Sequence, residues 1–141
     1  MKNLLLSLAL GVTLLGCTKK TDPVAPTTDP LLGRWYSTSV RNVDYDASGK
    51  VTKDATTQQA SQLDVTATTF TFTTTVNGRT STETDAYTRS GELLTLTPPS
   101  GNTGGETVYT RGLTSSAFTL EFNGKRTAGQ SYYVQSIPYT R

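Results

Sequence analysis

Apolar and hydroxylated residues alternate along most of the chain after residue 30. In FTFTTTV, residues 70–76, Phe70 and Phe72 fall on one side of an extended chain while Thr71 and Thr73 fall on the other. This period of two predicts a β-strand with one buried face. No helical period of 3.6 occurs after residue 30, so we predict a domain that is nearly all β.

Short turns punctuate the alternating segments. Asn77-Gly78 and Asn123-Gly124 are typical of two-residue β-hairpin turns, in which both residues adopt positive φ, and Ser90-Gly91 marks a further turn. Placing boundaries at these turns and at the glycine-rich loop 98–105 predicts eight strands. They lie near 33–45, 62–67, 69–76, 79–88, 92–97, 106–111, 117–122 and 131–139.

Eight strands joined mainly by hairpins favour an antiparallel up-and-down barrel, because closure removes the exposed sheet edges. A seven-stranded sandwich is the alternative, and it would need long crossover connections. The polar segment 46–61 is the one long connection in this reading of the chain, and we interpret it as a lid after the first strand.

Near the start of the chain, Lys2 precedes an apolar run that is too short to anchor the protein across a bilayer, a pattern typical of a secretory signal. Residues 14–17, Leu-Leu-Gly-Cys, resemble the lipobox of bacterial lipoproteins. The resemblance implies that residues 1–16 are removed and that Cys17 carries acyl chains such as palmitate; an ordinary cleaved signal with an incidental cysteine is the alternative.

Residues 17–30 are rich in Thr, Pro and Asp, and we predict a disordered tether that leads to a domain at 31–141. The lipobox implies a membrane anchor in the bacterial envelope, at the outer membrane. Lys19 and Lys20 stand where surface-exported lipoproteins carry an acidic run, which favours the periplasmic face.

Composition excludes several classes of function. The 13 Lys and Arg are scattered among 11 Asp and Glu, so there is no basic stripe for nucleic acid. The chain has no histidine, which removes Ser-His-Asp catalysis and the commonest zinc and haem ligand. We therefore predict no catalytic residue, no metal and no cofactor, and we predict that the protein is not an enzyme.

Two carboxylate pairs have the i, i+2 spacing that places both groups on one side of a strand: Asp44 with Asp46, and Glu83 with Asp85. Acid–base or metal chemistry can use such pairs. Solvated charges on an outer face are the commoner arrangement, and we expect that here. A sugar- or haem-binding surface is one interpretation of the tyrosines Tyr87, Tyr109, Tyr132, Tyr133 and Tyr139. We instead expect them at barrel rims, with the ring packed and the hydroxyl in water.

Gly33, Arg34 and Trp35 resemble the G-x-W signature of lipocalins. That resemblance implies that Trp35 closes the bottom of the barrel with Gly33 beside it, and that an arginine from the chain end, here Arg141, lies over its ring. Fraying of Arg141 into solvent is the alternative. The letters of a second lipocalin stretch, T-D-x-Y, occur at 84–87 but fall within the fourth predicted strand.

We predict a monomeric, lipocalin-like barrel that binds a small apolar or amphipathic molecule at the mouth opposite Trp35. Its predicted ligand-binding residues share the inward parity: Phe72, Leu94, Leu96, Phe118 and Leu120. Such residues can also fill a barrel of this size as plain core. A filled barrel would act through its outside, as an envelope interaction module or a hydrolase inhibitor.

Overall fold

The computed structural model describes residues 28–99, 105–123 and 129–141. The predicted signal peptide, Cys17 and most of the predicted tether lie outside the described residues. Within these ranges, no helix is long and apolar enough to cross a membrane.

The described chain forms a closed barrel in which each strand pairs with its neighbours in sequence and the last strand pairs back onto the first. All of the pairings are antiparallel. The predicted fold class is therefore confirmed: this is the up-and-down architecture that lipocalins share. The strands are β1 (Gly33–Tyr45), β2 (Val51–Val65), β3 (Thr69–Val76), β4 (Arg79–Ser90), β5 (Leu93–Thr97), β6 (Glu106–Arg111), β7 (Ala117–Asn123) and β8 (Tyr132–Thr140).

The second strand begins much earlier than predicted, and the lid expected at 46–61 is wrong. Asp46 closes a tight turn by accepting hydrogen bonds at its Oδ1 from the N–H groups of Ser48 and Lys50, each 2.9 Å long, and Gly49 has a φ of 87°. β1 therefore continues directly into β2. Most of the first ten residues of β2 are exposed, so the segment is polar without being a loop.

The predicted turn at Asn77-Gly78 is confirmed, with φ of 51° and 74°. Gly91 also has a positive φ, 63°, in the turn between β4 and β5. The Gly124 half of the other predicted Asn-Gly turn lies outside the described residues.

Threonines fill the outer face of the β3–β4 hairpin in facing pairs. The hydroxyls of Thr71 and Thr84 are 3.0 Å apart, and those of Thr73 and Thr82 are 3.2 Å apart. β-Branched side chains suit such a surface, and cross-strand hydroxyl pairs stabilise it. In this hairpin, the threonines that alternate with Phe70 and Phe72 thus mark outward positions.

Inward side chains pack into one core toward the end of the barrel where β1 begins. Trp35 meets Phe118 edge-on at 4.8 Å between ring centroids, and Phe118 stacks on Tyr139 at 5.4 Å. Strand register places these side chains at the same end of the barrel. Trp35 of β1 is paired with Leu63 of β2, and Phe118 of β7 is paired with Tyr139 of β8. The core therefore seals this end, which we call the closed end.

Candidate functional site

Trp35 is fully buried at the closed end, and the guanidinium carbon of Arg141 lies 3.9 Å from the centroid of its ring. The indole N–H donates a 2.8 Å hydrogen bond to the carbonyl of Leu31. The predicted contact between Arg141 and Trp35 is present, and the alternative that Arg141 frays is wrong.

Arg141 also ties the approach to β1 onto the barrel. Its guanidinium donates to the carbonyls of Pro30, Leu32 and Ser115 at 2.6, 2.9 and 2.6 Å. Gly33 passes close beneath, because a Cβ on this residue would lie 2.9 Å from Nη1 of Arg141. Gly33 therefore accompanies Trp35 in closing the barrel.

Asp29 is held by Arg89, whose Nη1 contacts both carboxylate oxygens at 2.6 and 2.8 Å. Burial raises the pKa of Asp29, but the N–H of Leu31 and the Arg89 guanidinium lower it more, so the net pKa lies below the ordinary value. Ordered contacts thus begin at Asp29, slightly before the predicted domain boundary at residue 31.

Tyr139 lies in the core, and the rim position expected for it is wrong. The residue is fully buried, and its hydroxyl lies 3.2 Å from the hydroxyl of Ser61. Burial raises the pKa of the Tyr139 phenol far above its ordinary value, and the contact with Ser61 offsets this only in part. Within the described residues, the Ser61 hydroxyl is the side-chain hydrogen-bond partner of the Tyr139 hydroxyl.

A cavity of about 210 Å³ opens in the barrel away from the closed end. Strand register builds its wall, because residues that face each other across a ladder point to the same side. Phe70 faces Asp85, and Phe72 faces Glu83, across β3 and β4. The lining residues are Phe70, Phe72, Glu83, Asp85, Leu96, Glu106, Phe122, Tyr133 and Gln135.

The structure divides the predicted ligand-binding residues between two environments. Phe72 and Leu96 line the cavity, as predicted. Leu94, Phe118 and Leu120 are buried in the core cluster and do not line the cavity, whereas Leu96 belongs to the same cluster and also lines the cavity. Their inward parity is shared, but Phe118 and Leu120 lie nearer the closed end, where facing side chains fill the interior.

The expectation that Glu83 and Asp85 lie on the outer face is wrong. The segment TSTETD in β4 carries no apolar residue that would fix its face, and pairing with Phe72 and Phe70 turns both carboxylates inward. Glu106 joins them from β6, opposite Leu96. The sequence pairs Glu83 with Asp85 but gives no sign of Glu106, because Glu106 is distant in the chain and lies in a different strand.

The three carboxylates give the cavity a negative wall. Burial raises the pKa of Glu106, and the charges of Glu83 and Asp85 raise it further. Oδ1 of Asp85 is buried and has no hydrogen-bond partner within the described ranges. Among these same residues, the arginine ion pairs involve other carboxylates: Asp29, Asp54, Asp64, Glu92 and Glu121.

The opposite wall is neutral and polar. Gln135 lines the cavity and donates a 3.0 Å hydrogen bond from Nε2 to Oδ1 of Asn42. Tyr133 stands at the mouth, with 51% of its surface exposed. The cavity thus combines aromatic rings, carboxylates and an amide.

The other predicted carboxylate pair has a structural use, since Asp46 forms the β1–β2 turn. No group of three or more His, Cys, Asp or Glu side chains in the described part of the chain is arranged to hold a metal ion. The cavity inside the barrel, with its aromatic side chains and few polar groups, has the character of sites that bind organic molecules.

No family model and no curated protein matches the sequence. Among solved structures, the fold is similar to that of a lipocalin-like protein from Bacteroides uniformis, with 16% identity and a TM-score of 0.48 over 80% of this chain and 99% of that one. It is also similar to a protein of unknown function from the DUF3598 family of Nostoc punctiforme. There the identity is 13% and the TM-score 0.41, over 79% of this chain and 48% of the other.

Proposed function

We propose that this protein is a small-molecule-binding barrel held by a lipid anchor in the bacterial envelope, and that its ligand is apolar or amphipathic. The cavity carries this proposal. Its wall includes Phe70, Phe72, Leu96 and Phe122, and it lies in a barrel whose other end is packed with side chains. Concave sites with apolar walls and a few polar groups are typical of ligand binding.

The proposed anchor is acylated Cys17, followed by a tether that reaches the barrel at Asp29. Arg89 and Arg141 hold the end of this segment at Asp29 and Pro30. Arg141 also lies over Trp35, so the attachment point is at the closed end. A tether attached there leaves the mouth of the cavity free, and we propose a periplasmic location at the outer membrane.

We propose a binding role without catalysis. The sequence supplies no histidine for proton transfer, and the proposed lipid occupies its one cysteine. We further propose that the protein acts as a monomer, without nucleic acid, metal or cofactor.

Mass spectrometry of small molecules extracted from the full-length, detergent-purified protein tests the binding proposal. We compare the native chain with Leu96→Trp, which places an indole in the cavity, and with Thr97→Trp, its outward neighbour on β5. A stoichiometric molecule present in the native and Thr97→Trp proteins but absent from Leu96→Trp is the expected result.

Equal extracts from all three proteins would contradict ligand binding in the barrel. Such a result would favour the filled-barrel alternative, in which the outer surface recognises a protein partner. Circular dichroism and thermal unfolding of both tryptophan variants establish that each is folded before the extracts are compared.

The anchor has its own test. Intact mass and partition into a detergent phase are measured for the native chain and for Cys17→Ser after expression in a bacterial envelope. Acyl mass on the native protein and its loss in the variant are expected, because the thiol is the acceptor. A native protein without acyl mass contradicts the anchor.

A further inference from the structure

Resting on the proposed binding function, we infer that the ligand is a small amphipathic amine, whose ammonium group meets the carboxylates of Glu83, Asp85 and Glu106 while its apolar part lies against the phenylalanines. The barrel fold by itself does not require a ligand with a positive group. That requirement comes from the side chains that strand register places in the cavity.

The cavity places aromatic and acidic residues next to one another. Across β3 and β4, Phe70 is paired with Asp85 and Phe72 with Glu83. Each pair sets an aromatic ring beside a carboxylate on the same wall. A ligand that suits both the rings and the carboxylates has an apolar body with a positive group near it. A negative group on the ligand would be repelled by the carboxylates.

Asp85 offers the ligand an unpaired hydrogen-bond acceptor. Its Oδ1 is buried and lacks a partner in the described ranges. An unpaired buried carboxylate oxygen is costly, and an ammonium group has three N–H donors that could satisfy it. Glu106 lies on the same wall, on β6, which only β5 separates from β4, and it is close enough to Asp85 for the two charges to interact. One ammonium could therefore donate to carboxylates on both β4 and β6.

The negative charge of the cavity wall also favours a cationic ligand. Within the described residues, the basic side chains that form ion pairs are Arg34, Arg41, Arg89 and Arg111, and their partners are carboxylates elsewhere on the barrel. The raised pKa of Glu106 reflects burial and its two negative neighbours. A bound cation would reverse that repulsion, and the ring faces of the phenylalanines would add cation–π attraction.

A divalent metal ion fits this site less well than an amine does. The carboxylates are not arranged as a metal-binding group, and much of the remaining wall is hydrocarbon, which offers no oxygen or nitrogen ligand. The small volume, about 210 Å³, favours a compact molecule with one ring or a short alkyl chain.

Three probes with one common tail test the inference: 2-phenylethylamine, 2-phenylethanol and 3-phenylpropionate. Binding is measured by isothermal titration calorimetry at neutral pH on the full-length protein in phosphatidylcholine nanodiscs, with empty nanodiscs as the blank. We expect the amine to bind at least about tenfold more tightly than the alcohol, since charge-assisted hydrogen bonds exceed neutral ones, and the carboxylate probe not to bind.

Variants assign the effect to the cavity. Asp85→Asn and Glu106→Gln should each weaken amine binding by about tenfold and leave alcohol binding unchanged, because they remove charge with little change in shape. Glu92→Gln, which removes a carboxylate paired with Arg111 outside the cavity, is the matched control and should leave both affinities unchanged.

Equal affinities for amine and alcohol would overturn the inference while supporting an apolar binding site, so the proposed function would stand. Preference for the carboxylate probe, or binding of none of the probes, would also overturn it. Mass spectrometry of the extract from the native protein tests the proposed function separately, because that experiment assumes nothing about the charge of the ligand.

Discussion

The guanidinium carbon of Arg141 lies 3.9 Å from the centroid of the Trp35 ring. The same guanidinium donates hydrogen bonds to the carbonyls of Pro30, Leu32 and Ser115. One side chain at the end of the chain thus joins the segment before β1, the β6–β7 connection and the core. The contact makes the closed end depend on the last residue of the sequence.

We expect Arg141→Ala to lower the free energy of unfolding by about 1–3 kcal/mol, since it removes a cation–π contact and three hydrogen bonds to carbonyls. Arg141→Lys should recover only part of this, because an ammonium cannot reproduce the planar fork. Urea unfolding followed by Trp35 fluorescence measures both. Arg79→Ala, an exposed site on the β3–β4 hairpin, is the control, and equal midpoints for both alanine variants would contradict the role given to Arg141.

Gly33→Ala should destabilise the protein by about 1–3 kcal/mol, because φ is +118° and the new Cβ would lie 2.9 Å from Nη1 of Arg141. In the Arg141→Ala background the cost should shrink, since the close contact is gone while the backbone strain remains. A double-mutant cycle measures this coupling by urea unfolding. Additive costs would show that Arg141 plays no part in the requirement for glycine.

The buried hydroxyl pair of Ser61 and Tyr139 gives a second cycle. Tyr139→Phe and Ser61→Ala should each cost about 1–3 kcal/mol, because each leaves the remaining hydroxyl buried without its partner. The double variant should cost less than the sum of the two. If the two effects simply add, the 3.2 Å contact contributes no coupling to stability.

Glu106 should make stability depend on pH in an unusual direction. Its pKa is raised in the folded protein by burial and by Glu83 and Asp85, so the folded chain favours the protonated form. That contribution is present below the unfolded pKa of about 4.3 and is lost as pH rises through the folded value.

Glu106→Gln should therefore raise the melting temperature at pH 7, and the gain should vanish near pH 4, where the native residue is also neutral. Thermal unfolding across this pH range measures the effect. Glu92→Gln serves as the control, because Glu92 pairs with Arg111 on the outer surface and its loss should bring no gain. A gain that is the same at every pH would mean that the charge of Glu106 is not the cause.

Local chemistry was sufficient for much of the architecture. The turn at Asn77-Gly78 follows from the two residues' tolerance of positive φ, and the alternation around Phe70 and Phe72 follows from the two-residue period of a strand. Hairpins of that kind, repeated along the chain, lead to a closed barrel because closure pairs the edges. The contact between Trp35 and Arg141 came from resemblance to lipocalins rather than from any local rule.

Polar segments were harder to interpret, for a physical reason. The start of β2 and the middle of β4 contain almost no apolar residues, so neither strand length nor face is specified by what must be buried. In β2, the turn at Asp46 decides the outcome; in β4, pairing with Phe70 and Phe72 does. A one-residue difference in that register would have turned Glu83 and Asp85 to the outer face of the barrel.

By itself, the sequence determined the number of strands after residue 30, most of their turns and the alternation of their faces, because these depend on neighbours along the chain. Only the tertiary structure decided that, of these core residues, Leu96 lines a cavity while Leu94 and Leu120 do not, and that Glu106 joins Glu83 and Asp85 there. Those outcomes depend on which strands face each other across the barrel, and the local pattern of residues along the chain does not specify this arrangement.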